Sequence, residues 1–417
     1  MEHINLDNEE FQKALQIIQF TRRSLFLTGK AGTGKSTFLR YISETTKKKH
    51  VILAPTGIAA INAGGSTLHS FFKLPFHPLL PNDTRYSVRN MRKTLRYTSE
   101  KCKLLREVEL IIIDEISMVR ADIIDFIDKV LRVYNRNMRE PFGGKQLLLV
   151  GDIYQLEPVV REEDRQLLAP FYHSQFFFDA KVFASLQLVS IELTKVYRQN
   201  NPTFINLLDH IRSSHVTTAD LEMLNRQVGA DIDTSDSSLS ITLSTRRDTV
   251  DYINSTRLAE LDGDSTIFDG TIEGDFPENN LPSPLKLELK VGAQVLFVRN
   301  DKEKRWVNGT LGTVTGFSLD VEDSKDAIIY VRTEDGVEFD VEQEIWSNIK
   351  YTFNEKEQKI EESVLGTFCQ FPLRLAWAIT VHKSQGLTFR NVKIDFSGGV
   401  FAGGQTYVAL SRCRSLE

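Results

Sequence analysis

The chain has 417 residues, 41% hydrophobic and 26% charged, enough for two to four compact units with ample core material. A net charge of −5 and a pI near 6.0 exclude a uniformly basic nucleic-acid binder, and no run approaches the roughly 18 apolar residues of a membrane span. Three scattered cysteines (Cys102, Cys369, Cys413) argue against a disulfide framework or a zinc site, and with the polar start MEHINLDNEE, which reads as no secretory signal, they fit a reducing cytoplasm.

Residues 8–20 predict a helix with Phe11, Ala14, Leu15 and Ile18 on one apolar face. The apolar run Ser24–Thr28 then leads into GKAGTGKS at 29–36, which matches G-x-x-x-x-G-K-[ST] at every fixed position. Backbone N–H groups of such a loop face phosphate oxygens, while Lys35 reaches the β/γ-phosphates and Ser36 ligates Mg²⁺. Gly29, Ala31, Gly32, Thr33, Gly34, Lys35, Ser36 and Thr37 are therefore assigned to a nucleotide.

The next strand, His50–Leu53, enters APTGIAAINAGGSTLHSFFKLPFHP. There Pro55, Thr56 and Gly57 suit phosphate contact, and Ser66, Thr67 and His69 add hydrogen bonds. Phe72 and Phe76 offer rings for unpaired bases, although a phenylalanine there serves a core equally well. Residues 75–106 carry a net charge of +6 on an otherwise acidic chain, which fits a placed anion contact or a solvated helix face.

Leu110–Ile113 predicts a buried strand ending in Asp114 and Glu115. Asp114 is placed to hold Mg²⁺ and Glu115 to orient and deprotonate an attacking water; alone, such a pair would as readily cap a helix. Residues 121–138 read as a core helix. Gln146–Val150 runs into GDIYQLEP, where Gln155 is placed to sense a γ-phosphate or position water. All four strands carry their functional-looking residues at their carboxyl ends, as ligand-binding parallel sheets do.

A second unit is expected from about Leu186, with strands Val189–Leu193 and Leu239–Leu243. Arg198 and Arg412 are candidate arginine fingers, since a planar guanidinium matches the charge of a transferring phosphoryl group. Thr245 and Arg246, at the end of the second strand, are assigned to DNA. Short alternating strands over 288–352 predict a small antiparallel β-barrel inserted between α/β segments. Beyond it, Thr380, His382, Lys383 and Ser384 are read as DNA contacts, with His382 equally readable as an interior histidine. Gly386 is placed at the nucleotide.

With GKAGTGKS, IIIDEISMV, GDIYQLEPV, YRQ, TVHKSQGLT and ALSRCRS in this order, the chain resembles a superfamily 1 helicase. More narrowly it resembles the PIF (petite integration frequency) family, related to the RecD-like helicases, through IDFIDKVLRVYNRNMREPFGGKQLLLVGD at 124–152. The resemblance runs from about residue 6 to 415. It implies an α/β fold of two RecA-like motor domains: 1–72 with 105–185, and 186–287 with 366–417. A basic wedge insertion would occupy 73–104 and a small β-barrel insertion 288–365. Gln12 falls where the family's adenine-reading glutamine sits, and Asn308 lies in a Val-Asn-Gly turn like the family's.

The same resemblance implies ATP and Mg²⁺ as cofactors and 5′→3′ translocation on single-stranded DNA. It also implies unwinding of forked duplexes and often of G-quadruplexes. A monomer is expected, because one chain would hold both halves of the ATP site. The chain stops three residues after Arg414, which fits either a minimal core or a shortened chain. Rival readings are a nucleic-acid-stimulated ATPase that does not separate strands, a nucleotide-gated DNA clamp, and an RNA-directed motor.

Overall fold

The computed structural model describes residues 8–199, 201–230, 239–278, 281–318 and 327–416. Residues 1–7, which include most of the polar start, and 319–326 of the expected β insertion lie outside them. The chain forms two compact units: Met1–Val196 with Asn348–Leu365, and Tyr197–Ser347 with Gly366–Glu417.

The first unit is built on a parallel sheet of strands β1 (Leu25–Gly29), β2 (His50–Ala54), β3 (Ser66–Thr67), β4 (Leu110–Ile113), β5 (Gln146–Val150) and β6 (Val189–Leu193). Among the described residues their order is β3-β2-β4-β5-β1-β6. Every residue of β4 and β5 is buried, as continuous apolar runs demand when helices cover both faces. Helix α1 (Glu9–Phe20) starts where Asn8 Oδ1 accepts from the Phe11 amide at 3.0 Å, with Glu9 and Glu10 favourably placed in its first turn. Its stripe buries Phe11, Ala14 and Ile18, and Phe11 packs edge-on against Phe38 of α2 (Lys35–Thr45) at 4.9 Å.

Strand β6 differs from the expectation that it opens the second unit. It hydrogen-bonds in parallel along β1, Leu25↔Val189 through Gly29↔Leu193, and completes the first sheet. The helix expected over 121–138 ends at Asn135, because Arg136 turns left-handed at φ 55°. The PFGG that follows is a packing device. A Cβ on Gly143 would lie 2.6 Å from the Leu131 carbonyl, and buried Phe142 donates its amide to Asp128 Oδ1 at 2.6 Å.

In the second unit, β7 (Ser240–Ser244) pairs in parallel with strands Ala378–Thr380 and Asn391–Asp395. The expected β insertion consists of antiparallel sheets. Gln294–Phe297, Leu311–Ser318, Ile328–Thr333, Glu338–Val341 and Leu373–Leu375 form one of them, around Val295, Phe297, Val314, Ile329 and Phe371. The long strands Glu344–Asn354 and Lys359–Gln370 leave this region and return to it. Their middle, Asn348–Leu365, belongs to the first unit, where Ile349, Tyr351 and Phe353 join the core.

Candidate nucleotide and nucleic-acid site

The glycine-rich loop joins β1 to α2 and takes left-handed turns at Gly32 (φ 79°) and Gly34 (φ 92°). Gly29 must lack a side chain: a Cβ there would lie 2.7 Å from both the Leu193 carbonyl and Thr33 Oγ1. Thr33 is buried and ties its hydroxyl to the Lys30 carbonyl at 2.9 Å. The Lys35 ammonium arches back and donates to the carbonyls of Gly29 and Lys30 at 2.7 and 2.9 Å. Ala31 is buried within the loop, Ser36 is exposed at the start of α2, and Thr37 is half-buried beside it. Gln12 is exposed on α1, next to the Phe11 that clamps this helix to α2.

At the tip of β4, Asp114 accepts from the Glu115 amide at 2.9 Å. Burial pushes the Asp114 carboxyl up, while that hydrogen bond and the Lys35 charge pull it down. A desolvated carboxylate facing a lysine is poised for a cation or a phosphate-bound metal. Glu115 adopts φ 49°, an uncommon conformation for a side chain of its size, which places it at a turn rather than inside a helix. Among the described residues, no three His, Cys, Asp or Glu gather as a metal cluster. Ser36 and Asp114, the residues expected to hold Mg²⁺, offer a hydroxyl and a carboxylate, the hard oxygen donors that such an ion takes.

Gln155 is buried, and its Nε2 donates to Asp152 Oδ2 at 3.4 Å. Asp152, itself fully buried, also accepts from the Tyr154 amide and so positions the glutamine. Asp152 has no assigned role from sequence alone, although its place at the end of β5 is a usable signal.

The two arginines behave differently. Arg198 donates through Nη2 to the carbonyl of Gly386 at 2.9 Å, and its Nη1 is buried without a hydrogen-bond partner among the described residues. Gly386, exposed and left-handed at φ 81°, is thus a partner of the arginine as well as a candidate nucleotide contact. Arg412 departs from expectation. It is 1% exposed and donates to the carbonyls of Val408, Ser384 and Leu387 and to Ser411 Oγ, so in this conformation its guanidinium is a structural hub rather than a presented finger.

Of the expected DNA contacts, Thr56 is exposed, flanked by half-buried Pro55 and Gly57, and caps Gly57–Ala63 by accepting from the Ala59 amide. Thr67 caps Leu68–Phe72 in the same way through the Ser70 amide. Phe76 is 87% exposed and lies flat on His69, centroids 5.1 Å apart and planes 8° apart. Phe72 corrects the expectation of a base-stacking ring: it is fully buried against Phe71 and cannot reach a ligand.

Ser384 is likewise fully buried, its hydroxyl spent on the Val381 carbonyl at 2.7 Å. Thr245 is buried, bonded to the Gly399 carbonyl at 2.7 Å, whereas Arg246 is exposed and holds the Gly398 carbonyl at 3.0 Å. Asn308 is half-buried, its amide bonded to Asn300 Oδ1. Thr380 and His382 are half-buried beside exposed Lys383. Desolvation lowers the Lys383 ammonium to about 8, with Arg374 and Arg247 adding repulsion.

The basic segment packs firmly on the helix Ala121–Asn135. Tyr86 meets Phe126 edge-on, Arg92 lies over Tyr134, and Asp122 accepts from the Leu79 amide and from Arg120. Arg89, Lys93 and Arg96 remain exposed. Its charge therefore divides between packing and a solvent-facing set.

A family model described as PIF1-like helicase matches residues 5–222, and one described as DNA helicase Pif1, 2B domain, matches 277–317. The chain is 33% identical over 414 residues to ATP-dependent DNA helicase Pif1 of Bdellovibrio bacteriovorus, covering 98% of this chain and 86% of that protein. It is 36% identical over 422 residues to ATP-dependent DNA helicase PIF1 of Rattus norvegicus, covering 98% of this chain but only 60% of that longer protein. The structure of Bacteroides sp Pif1 with ADP-AlF4 superposes with a TM-score of 0.86 at 43% identity, covering 98% of this chain and 90% of that one. Bacteroides Pif1 bound to ssDNA superposes at 0.66, with the same identity and coverage.

Proposed function

The chain belongs to the PIF1-like helicase family, and from that premise we propose that it is an ATP-dependent DNA helicase moving 5′→3′ on single-stranded DNA and opening forked duplexes. The observation that carries this reading is the edge where β1 and β4 end, with Lys35 on the loop carbonyls and the desolvated Asp114 beside Glu115.

In this proposal Lys35 exchanges its two carbonyl partners for β- and γ-phosphate oxygens. Ser36 and Asp114 hold Mg²⁺, which supplies charge neutralisation on the phosphates. Glu115 accepts the proton of the attacking water, and Gln155, held by Asp152, orients that water or reports the γ-phosphate. The unpaired Nη1 of Arg198 donates to the γ-phosphoryl oxygens as charge builds there. Nucleotide-driven closure of the two units, and its reversal after hydrolysis, then moves the strand held by Thr56, His69, Thr380, His382 and their neighbours. The exposed cations Arg89, Lys93 and Arg96 meet DNA at the fork. Action on G-quadruplexes and a monomeric state are further parts of the proposal. A reducing cytoplasm, as the scattered cysteines suggest, is also part of the proposal; among the described residues no helix is long and apolar enough to cross a membrane.

Matched 5′-tailed and 3′-tailed duplexes test it. Unwinding should need ATP and the 5′ tail, and Lys35→Ala should abolish it; a preference for the 3′ tail, or an active Lys35→Ala variant, would overturn the reading.

A further inference from the structure

One device occurs in both units. In the first, Thr67 ends β3, a parallel neighbour of β2 with Ala54 opposite Thr67. In the second, Thr380 ends a strand that is a parallel neighbour of β7, with Ser244 opposite Thr380. Each threonine accepts from the amide three residues on: Ser70 to Thr67 Oγ1 at 3.1 Å, Lys383 to Thr380 Oγ1 at 3.3 Å. Two residues past each threonine stands a half-buried histidine, His69 or His382.

Each histidine carries a phenylalanine ring from a later loop. Phe76 lies on His69, and Phe401 lies on His382 with centroids 6.1 Å apart and planes at 16°. Both loops are anchored from behind. Lys73 turns left-handed and the Leu74 amide returns to the His69 carbonyl at 3.0 Å. Fully buried Gln405 accepts from the amides of Phe401 and Ala402 at 3.1 and 3.3 Å. The rings themselves stay in water, Phe76 87% and Phe401 65% exposed, each held near-parallel to its imidazole. Burial lowers the pKa of both histidines, which favours neutral rings under the phenylalanines. An apolar ring held flat and exposed at a strand end has no core to serve, and its face matches that of an unpaired base.

We propose that His69–Phe76 and His382–Phe401 are equivalent base-stacking platforms, one in each unit, each taking one unpaired base of a single strand. This rests on the DNA-binding reading above and deepens it by giving Phe401 a role.

The test uses the full chain and two labelled oligonucleotides of equal length and charge, oligo-dT and an abasic strand, followed by fluorescence anisotropy. Wild type should bind oligo-dT more tightly. Phe401→Ala should weaken oligo-dT binding roughly 5- to 140-fold, the range for losing one base stack, while abasic affinity and salt dependence hold. Phe401→Trp should restore it, and Phe76→Ala should behave as Phe401→Ala does. Equal weakening on both strands, no weakening, or a wild type indifferent to bases would overturn the platforms and leave the DNA reading standing. A wild type that binds neither strand would sink the DNA reading and this inference with it.

Discussion

Arg412 Nη1 donates to the carbonyl of Ser384 at 3.1 Å, so two residues expected to meet different ligands hold each other instead. The contact ties the segment read as a DNA grip to the segment read as a nucleotide sensor inside one buried network. Arg198 is the opposite case, with one guanidinium nitrogen bonded and another buried and without a partner among the described residues.

The two arginines should therefore fail differently. Arg412→Ala strips donors from three buried carbonyls and should destabilise the protein by on the order of 3 kcal/mol in urea unfolding. Arg198→Ala should leave stability nearly unchanged, because a desolvated, half-satisfied cation contributes little to the fold. Its DNA-stimulated ATP turnover should fall about 10³-fold or more. An Arg412→Ala variant of normal stability with no turnover would restore Arg412 as the finger.

Tyr351 tests the strand pair that enters the first unit. Its hydroxyl accepts from the Ile52 amide at 3.2 Å and donates to the Ile52 carbonyl at 3.3 Å, both buried. Tyr351→Phe leaves that amide and carbonyl without this partner and should cost about 1–2 kcal/mol. Hydrogen exchange at Ile52 should quicken in parallel; unchanged exchange would mean the contact is not formed in solution.

Gly143→Ala places a Cβ 2.6 Å from the Leu131 carbonyl at a backbone φ of 62°. The strain should cost about 1–3 kcal/mol and lower the melting temperature without altering the DNA affinity of the folded fraction. Gly64→Ala is a fitting control. Its φ is also positive, at 71°, but nothing stands within 4 Å of the added carbon, so the cost should be smaller.

Cys413 supplies a pH dependence. Burial pushes its thiol up from 9.0 to about 11, against the opposing charge of Arg412. Between those values the folded state keeps a proton that the unfolded state releases, so stability falls as pH rises from 9.0 towards about 11 and is unaffected well below. The urea midpoint at pH 8 and pH 10 should separate wild type from Cys413→Ala, the variant losing less on the alkaline side. Alkylation of Cys413 in the native protein at pH 8 should also be slow, because the thiolate is the nucleophile.

The strand ends of the first sheet were legible in sequence because their cause is local. A strand buried on both faces must be continuously apolar, so the first polar residues after β1, β2, β4 and β5 mark the ligand-facing edge. The glycine-rich loop was legible for a similar reason: its fixed positions meet backbone demands made by the loop itself. Local patterning could not tell Phe72 from Phe76, or Arg198 from Arg412. Each pair shares its chemistry, and burial is decided by which distant surface arrives: Phe71 and its core beside Phe72, the carbonyls of Ser384 and Leu387 around Arg412. The allegiance of β6 and of residues 348–365 was hidden for the same cause, since alternating or short apolar runs specify a strand but not its partner. By itself the sequence determined the strand ends, the glycine-rich loop and the family. Tertiary packing alone decided which aromatic rings and which arginine remain available to a ligand, because availability is a property of the surfaces that meet a side chain.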